Sequence, residues 1–140
     1  MSGSVLLIGA FIFFVGGYLF YGRRIAGRME VDDKNITPAH RHRDNIDYVP
    51  AKVPVLAGHH FASIAGAAPI IGPVTAAVFG WGAAFAWIII GVVFLGGVHD
   101  FASMVASIRT DGKSIGEIIE REVGKTGKTL FLIFTWLTLV

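Results

Sequence analysis

The sequence contains no cysteine and few charged residues. The absence of cysteine excludes disulfide bonds and thiolate metal sites within these 140 residues. Charged side chains make up 16% of the chain, whereas a typical soluble domain has about 25%. The shortage is greatest between Val53 and Ile108, where Asp100 is the only formally charged residue. This stretch is long enough for two crossings of about 20 residues each, which predicts an integral membrane protein.

A cleaved leader is also not indicated at the N-terminus. A secretory signal places basic residues before its apolar run, but here "MSGS" precedes the run Val5–Phe20 and "RRIAGR" follows it. The reversed order predicts a retained helix with its N-terminus outside. The pI of about 9.2 comes from basic residues that flank apolar segments, which indicates membrane topology and not nucleic-acid binding.

The apolar segments predict an all-α integral membrane fold, a polytopic helical bundle with a broken helix. The loop 23–52 carries seven Lys or Arg residues and Arg109–Lys128 carries five, so both are predicted to be cytoplasmic. The short "GWG" at Gly80–Gly82 then joins two segments outside. The last apolar segment is too short to span, so residues 1–140 are expected to be the N-terminal part of a larger protein. The predicted spans are 4–22, 53–79, 83–108 and a truncated one from 129.

A short amphipathic helix is predicted at 114–123 in the second loop. Ser114 followed by Glu117 forms a capping-box pattern, apolar residues recur at helical spacing, and Gly124 supplies a stop. Such a helix either packs against the rest of the protein or lies on the inner membrane surface.

The stretch "GHHFASIAGAAPIIGP" at Gly58–Pro73 breaks the pattern of a plain membrane helix. Proline removes a backbone donor and clashes with the preceding turn, and freed carbonyls inside lipid need protein or water partners. Broken helices of this kind bind substrates and ions in secondary transporters, although an ordinary proline kink is the alternative. We expect a half-helix to begin near Gly72. The substrate-path candidates are Gly58, His59, His60, Gly66, Pro69, Gly72 and Pro73.

Asp100 and its neighbour His99 are the candidates for ion coupling. A carboxylate in a membrane segment must face the bundle interior or a cavity. At 1.5 Å per residue, Asp100 lies roughly 12 Å inside the membrane and the pair His59 and His60 roughly 9 to 11 Å. The two polar pairs therefore share a predicted depth.

Three interpretations of these polar residues stay open. They form a proton or ion relay, they make structural hydrogen bonds across helices, or they bind a metal. The metal interpretation corresponds to a membrane-embedded metalloenzyme with ligands His59, His60, His99 and Asp100. Adjacent histidines on a helix point about 100° apart, which disfavours it. In the first loop, His40, His42, Asp44 and Asp47 form a solvated surface, a metal site or a gate before the second segment.

The long motif "DYVP" leading to "GHHFASIAGAAPIIGP", followed by "GVHDFASMVASIRTDGKSIGEII", resembles the N-terminal part of the carbon starvation protein family, the CstA-type transporters. The resemblance implies a large polytopic protein of a bacterial or archaeal inner membrane, with an inverted-repeat architecture and broken helices. It implies proton-coupled uptake of small peptides or pyruvate during nutrient limitation. Asp100 would match the Asp of the family's "DF" element, whereas position 99 varies.

The resulting prediction is a fragment of a secondary transporter, and not an enzyme. Its expected partners are a small-molecule substrate, protons, the lipid bilayer and the rest of the transporter chain; no cofactor, metal or nucleic acid is predicted. The metalloenzyme is the alternative, and a small membrane adaptor of 140 residues is a third possibility.

Overall fold

The structure is a computed structural model that describes residues 2–139. Every regular element in this range is helical, so the predicted all-α class is confirmed. Two compact units are formed, one from Met1–Glu30 and Pro50–His99 and the other from Val31–Val49 and Asp100–Val140. The elements are α1 (Gly3–Gly16), π1 (Gly17–Gly22), α2 (Arg23–Arg28), α3 (Pro38–Arg41), α4 (Val53–Ile64), α5 (Ala67–Ala77), α6 (Trp81–Gly91), π2 (Val92–Gly96), α7 (Gly97–Arg109), α8 (Ile115–Glu122) and α9 (Lys125–Leu139).

Two continuous helical runs, Gly3–Arg28 and Trp81–Arg109, are long and apolar enough to cross a membrane. The bent pair α4 and α5 makes a third candidate if it is counted as one span. The first run continues past residue 22, where the predicted span ended, because arginine, isoleucine and alanine are compatible with a helix. The helix ends before Glu30, which has a positive φ of 51°. The basic residues after the first apolar run therefore lie on the helix and not in a loop.

Both runs contain a π-helical segment, and in the first unit these segments pack against each other. A Cβ atom on Gly17 would lie 3.0 Å from a methyl group of Val93, and the rings of Tyr21 and Phe94 lie 4.8 Å apart. The two π segments can approach this closely because Gly17 has no side chain. Where π2 passes into α7, a Cβ on Gly97 would lie only 3.0 Å from the Val92 carbonyl oxygen.

The break in the second apolar segment lies at Ala65 and Gly66. Helix α4 ends at Ile64, Gly66 is extended at φ −80° and ψ −177°, and α5 begins at Ala67. A proline ring clashes with the carbonyl four residues earlier, and four residues before Pro69 is Ala65. The expected half-helix start near Gly72 is therefore wrong, because Pro69 occupies the first turn of α5, where proline is tolerated.

The second proline of this segment, Pro73, lies inside α5 without ending it. Its missing N–H leaves the Pro69 carbonyl without the usual helical donor. One turn along, the Thr75 hydroxyl donates to the carbonyl oxygens of Ile71 and Gly72, at 3.2 and 2.9 Å. Helix α5 therefore continues through its proline, and the bend of 48° belongs to the break before it.

Helix α8 begins with the predicted capping box. The Ser114 backbone N–H donates to a Glu117 carboxylate oxygen at 3.0 Å, and the Glu117 N–H donates to the Ser114 hydroxyl. The hydrogen bonds that the carboxylate accepts, first from the Ser114 backbone N–H and then from the Ser114 hydroxyl, hold the pKa of Glu117 below its ordinary value. Gly124 follows the helix with a φ of +99°, which is the conformation of a glycine stop.

Helix α8 packs against α9 in the second unit. A Cβ on Gly116 would lie 3.9 Å from the side chains of Phe131 and Leu132. Lys128 on α9 donates a hydrogen bond to the Glu120 carboxylate on α8. These contacts support the packing interpretation of α8.

None of the hydrophobic side chains in residues 2–139 is fully buried. Phe79 is 94% exposed and Trp87 is 66% exposed. Continuous apolar surface of this kind is typical of a face that contacts lipid or other protein segments. The described helices therefore do not build a closed core by themselves.

The contact at Gly17 generates a stability prediction. Gly17→Leu should force π1 away from Val93 and lower stability by about 1–3 kcal/mol, the usual cost of overpacking. Thermal aggregation of the detergent-solubilised protein, followed by size-exclusion chromatography, measures the loss. Gly16→Leu is the matched control, because a Cβ there meets no atom within 4 Å in the described part of the chain. Equal loss in both variants would contradict the packing role.

Candidate functional site

The candidate substrate-path residues all lie on the bent pair α4 and α5. His59 and His60 are exposed on α4, one to two turns before the break. Ser63 donates its hydroxyl hydrogen to the His59 carbonyl oxygen at 2.9 Å. One backbone carbonyl near the break therefore has a side-chain donor. Consecutive helical residues point about 100° apart. The two imidazoles therefore face different directions around α4.

An apolar cavity of about 790 Å³ lies between α5 and the α6–π2 run. Pro69, Gly72 and Pro73 line it from α5, and Trp87 and Gly91 line it from α6. Three of the predicted path residues therefore share one cavity. The others, Gly58, His59, His60 and Gly66, are not part of its lining in the described structure. No charged side chain lines the cavity in residues 2–139, so its walls suit apolar groups.

His99 and Asp100 lie at the start of α7, directly after π2. His99 belongs to the first compact unit and Asp100 to the second. The predicted common depth of Asp100 with His59 and His60 therefore stays a prediction. π-helical segments inside α-helices are frequent at functional sites, and the sequence pattern gave no sign of this one.

The metal interpretation has no support in the geometry. Among residues 2–139 there is no group of three or more His, Asp or Glu side chains that could hold a metal ion. On α4 the imidazoles of His59 and His60 point in different directions, so both cannot easily bind one ion. In the first loop the candidate oxygen of Asp44 is occupied by backbone N–H groups, and His40 bonds to the Thr37 hydroxyl at 2.9 Å.

A contact that the sequence did not reveal joins the first loop to the turn after α7, within the second unit. His42 Nε2 lies 3.0 Å from Asp111 Oδ1, and the Tyr48 hydroxyl donates to the Asp111 carbonyl oxygen at 2.8 Å. Arg41 lies 3.8 Å from the same carboxylate. We call Arg41, His42, Tyr48 and Asp111 the loop clasp. Asp111–Gly112 is a turn signal, but nothing in the sequence pairs this turn with the distant loop.

Asp44 holds the turn that presents Tyr48. Its Oδ1 accepts hydrogen bonds from the backbone N–H groups of Ile46, Asp47 and Tyr48, at 2.9, 3.0 and 2.8 Å. These bonds, of which the one from Tyr48 has the largest effect, hold the pKa of Asp44 below its ordinary value of 3.8. The Asp44 carboxylate thus accepts hydrogen bonds from the backbone of its own loop and stabilises the conformation of that loop.

Comparison with known proteins places the chain in a family. The sequence profile of the family described as "Carbon starvation protein CstA" matches residues 2–140. The chain is 41% identical over 136 residues to the "Peptide transporter CstA" of Escherichia coli strain K12, covering 96% of this chain and 19% of that protein. It is 50% identical over 110 residues to the "Peptide transporter CstA" of Helicobacter pylori strain J99, covering 78% and 16%.

A relative that is named for a different substrate also matches. The chain is 38% identical over 141 residues to the "Pyruvate/proton symporter BtsT" of Escherichia coli strain K12, covering 100% of this chain and 20% of that protein. The chain thus spans about a fifth of the length of these curated relatives. No solved structure matches it.

The role of Asp44 predicts how its loop responds to substitution and to pH. Asp44→Ala should increase hydrogen exchange at the amides of residues 46–48 about tenfold, because three donors lose their acceptor. Since the folded pKa is lowered, the turn is stabilised above the unfolded pKa of about 3.9 and loses that stability as pH falls through the folded value. Hydrogen-exchange mass spectrometry measures both effects. Asp47→Ala should leave these amides protected; equal exchange in the two variants would contradict the capping role.

Proposed function

The chain belongs to the carbon starvation protein CstA family, and on this premise we propose that it forms the N-terminal part of a secondary transporter for small peptides or pyruvate, coupled to protons. Relatives named as a peptide transporter and as a pyruvate/proton symporter support the proposal at 41% and 38% identity. Both names describe transport and neither describes an enzyme. The proposed location is a bacterial inner membrane, which the chain crosses several times together with the rest of the transporter.

The observation that carries the proposal is the bend of 48° between α4 and α5 beside an apolar cavity. The first N–H groups of a helix have no partner within it, and α5 begins at Ala67 with no side-chain cap at Gly66. An anionic group, such as the carboxylate of a peptide or of pyruvate, is favoured at such an end. The proposed anion-binding end is therefore the start of α5 at Ala67, five residues before the position expected from the sequence.

Asp100 is the proposed coupling residue, with His99, His59 and His60 as the imidazoles near the path. A carboxylate in a span is costly unless it is paired, protonated or hydrated. Exchange between those states is what a proton-coupled carrier requires.

Uptake by the full-length transporter tests this proposal directly. Cells that lack their own peptide and pyruvate carriers would express it and receive labelled dipeptide or labelled pyruvate, with and without a protonophore. Accumulation of either substrate that collapses with the protonophore is the expected result, and the better substrate identifies the class. Accumulation of neither substrate above that in cells without the transporter would overturn the proposal.

Removal of the helix break should impair transport. Pro69→Ala removes the ring that clashes with the Ala65 carbonyl, so α4 and α5 can join into one helix. We expect the initial uptake rate to fall at least about tenfold at an unchanged expression level, equivalent to about 1.4 kcal/mol.

Pro54→Ala is the matched control for this prediction. Pro54 lies in the first turn of α4, where proline is tolerated, and does not line the cavity. Its removal leaves the break in place, so uptake should stay within about twofold of the parent rate. Normal uptake by Pro69→Ala, in protein that is present in the membrane, would show that transport does not need the bend.

Asp100→Asn should separate proton coupling from substrate binding. The amide cannot take up and release a proton in this pH range, so accumulation driven by a proton gradient should disappear. Exchange of labelled for unlabelled substrate in reconstituted vesicles should persist. Asp33→Asn, in the first loop, is the control and should retain both activities. Gradient-driven accumulation by Asp100→Asn at all pH values would exclude the coupling role.

A further inference from the structure

The loop clasp joins two parts of the second unit that are 69 residues apart in sequence. Its central bond connects His42 Nε2 with Asp111 Oδ1 at 3.0 Å. An ionised carboxylate can only accept a hydrogen bond, so the imidazole donates through an Nε2–H. This geometry is available to the neutral ring and to the ring that carries a second proton on Nδ1.

Asp111 is held at both its side chain and its backbone. Its carboxylate meets His42, and its carbonyl oxygen accepts the Tyr48 hydroxyl at 2.8 Å. Asp111 and Gly112 both have positive φ, 56° and 77°, a conformation that aspartate and glycine tolerate better than most residues. The turn after α7 is therefore shaped to present one aspartate to the first loop.

The groups around His42 determine how the clasp responds to protonation. The Asp111 carboxylate is in direct contact, the Tyr48 ring lies 5.4 Å from the imidazole, and Arg41 approaches the same carboxylate at 3.8 Å. Arg41 opposes a positive imidazole; solvent screens both contacts, since Arg41, His42 and Asp111 are 60%, 45% and 53% exposed, but the contact of Arg41 is 0.8 Å longer than that of His42. The direct contact with Asp111 dominates. A charge-assisted bond of this kind is about twice as strong as a neutral one.

We propose that His42 and Asp111 form an acid-strengthened clasp, which restrains the first loop when His42 gains a proton and thereby slows uptake as the pH on that side of the membrane falls. The restrained loop leads into α4, because only four residues, 49–52, separate Tyr48 from Val53. Histidine is the side chain that changes charge near neutral pH. The clasp therefore restrains α4, the helix that begins the proposed substrate path, and we call this restraint the brake. This regulatory effect rests on the proposed transport function and on the predicted cytoplasmic position of both loops.

Hydrogen exchange tests the clasp without relying on transport. In the full-length protein, peptides that cover residues 42–48 and 110–113 would be compared at pH 6 and pH 8, with correction for the intrinsic pH dependence of exchange. We expect about threefold to tenfold slower exchange at pH 6 in the parent protein, in line with a stronger charge-assisted bond. In His42→Gln this difference should disappear.

His40→Gln is the matched control, because His40 lies in the same loop and bonds locally to Thr37. It should keep the pH difference of the parent. A parent protein with equal corrected exchange at both pH values, or a His40→Gln variant that also loses the difference, would overturn the clasp.

Uptake by vesicles with an inside-out or right-side-out orientation then tests the brake. Acidification on the side of the two loops should slow uptake by the parent and by His40→Gln but not by His42→Gln. Equal slowing of His42→Gln would overturn the regulatory effect even if the exchange data support the clasp. If no protein takes up substrate, the transport proposal fails, and the brake with it, while the exchange experiment still decides whether the clasp exists.

Discussion

A helix in an apolar medium can break only where its freed backbone groups find other partners, and this constraint shapes the second apolar segment. Pro69 prevents the helix from continuing across Ala65, so α4 ends and α5 begins two residues later. The uncapped start of α5, the bend of 48° and the cavity beside Pro69 all follow from that one residue. The proposed anion-binding end is thus a consequence of the lost backbone bond, and no special side chain is needed to create it.

Much of the fold is readable from local sequence. Long apolar runs predict the spans because a membrane helix needs a fixed length, and the Ser114–Glu117 spacing predicts the capping box because both bonds form within one turn. The site of the break was also readable, since a proline acts on the carbonyl four residues before it. The error was to place the start of the second half-helix near Gly72, when Pro69 lies in the first turn of a helix that begins at Ala67.

Other features depend on contacts between distant residues, which periodicity does not encode. The π segments are apolar like the α-helices around them, and they meet through the contacts of Gly17 with Val93 and of Tyr21 with Phe94. The loop clasp pairs His42 with an aspartate 69 residues away. The candidate polar residues His59 and Asp100 fall in separate compact units, and the chain spans about a fifth of the length of the relatives it matches.

A change in the π segment before α7 would rotate the end of the helical run Trp81–Arg109. A π turn accommodates one residue more than an α turn over the same length. If π2 tightened to α geometry, every residue after it would turn by about 100° around the helix axis with little change in the number of backbone bonds. Asp100, four residues beyond the end of π2, would then point in a new direction without any change of rotamer.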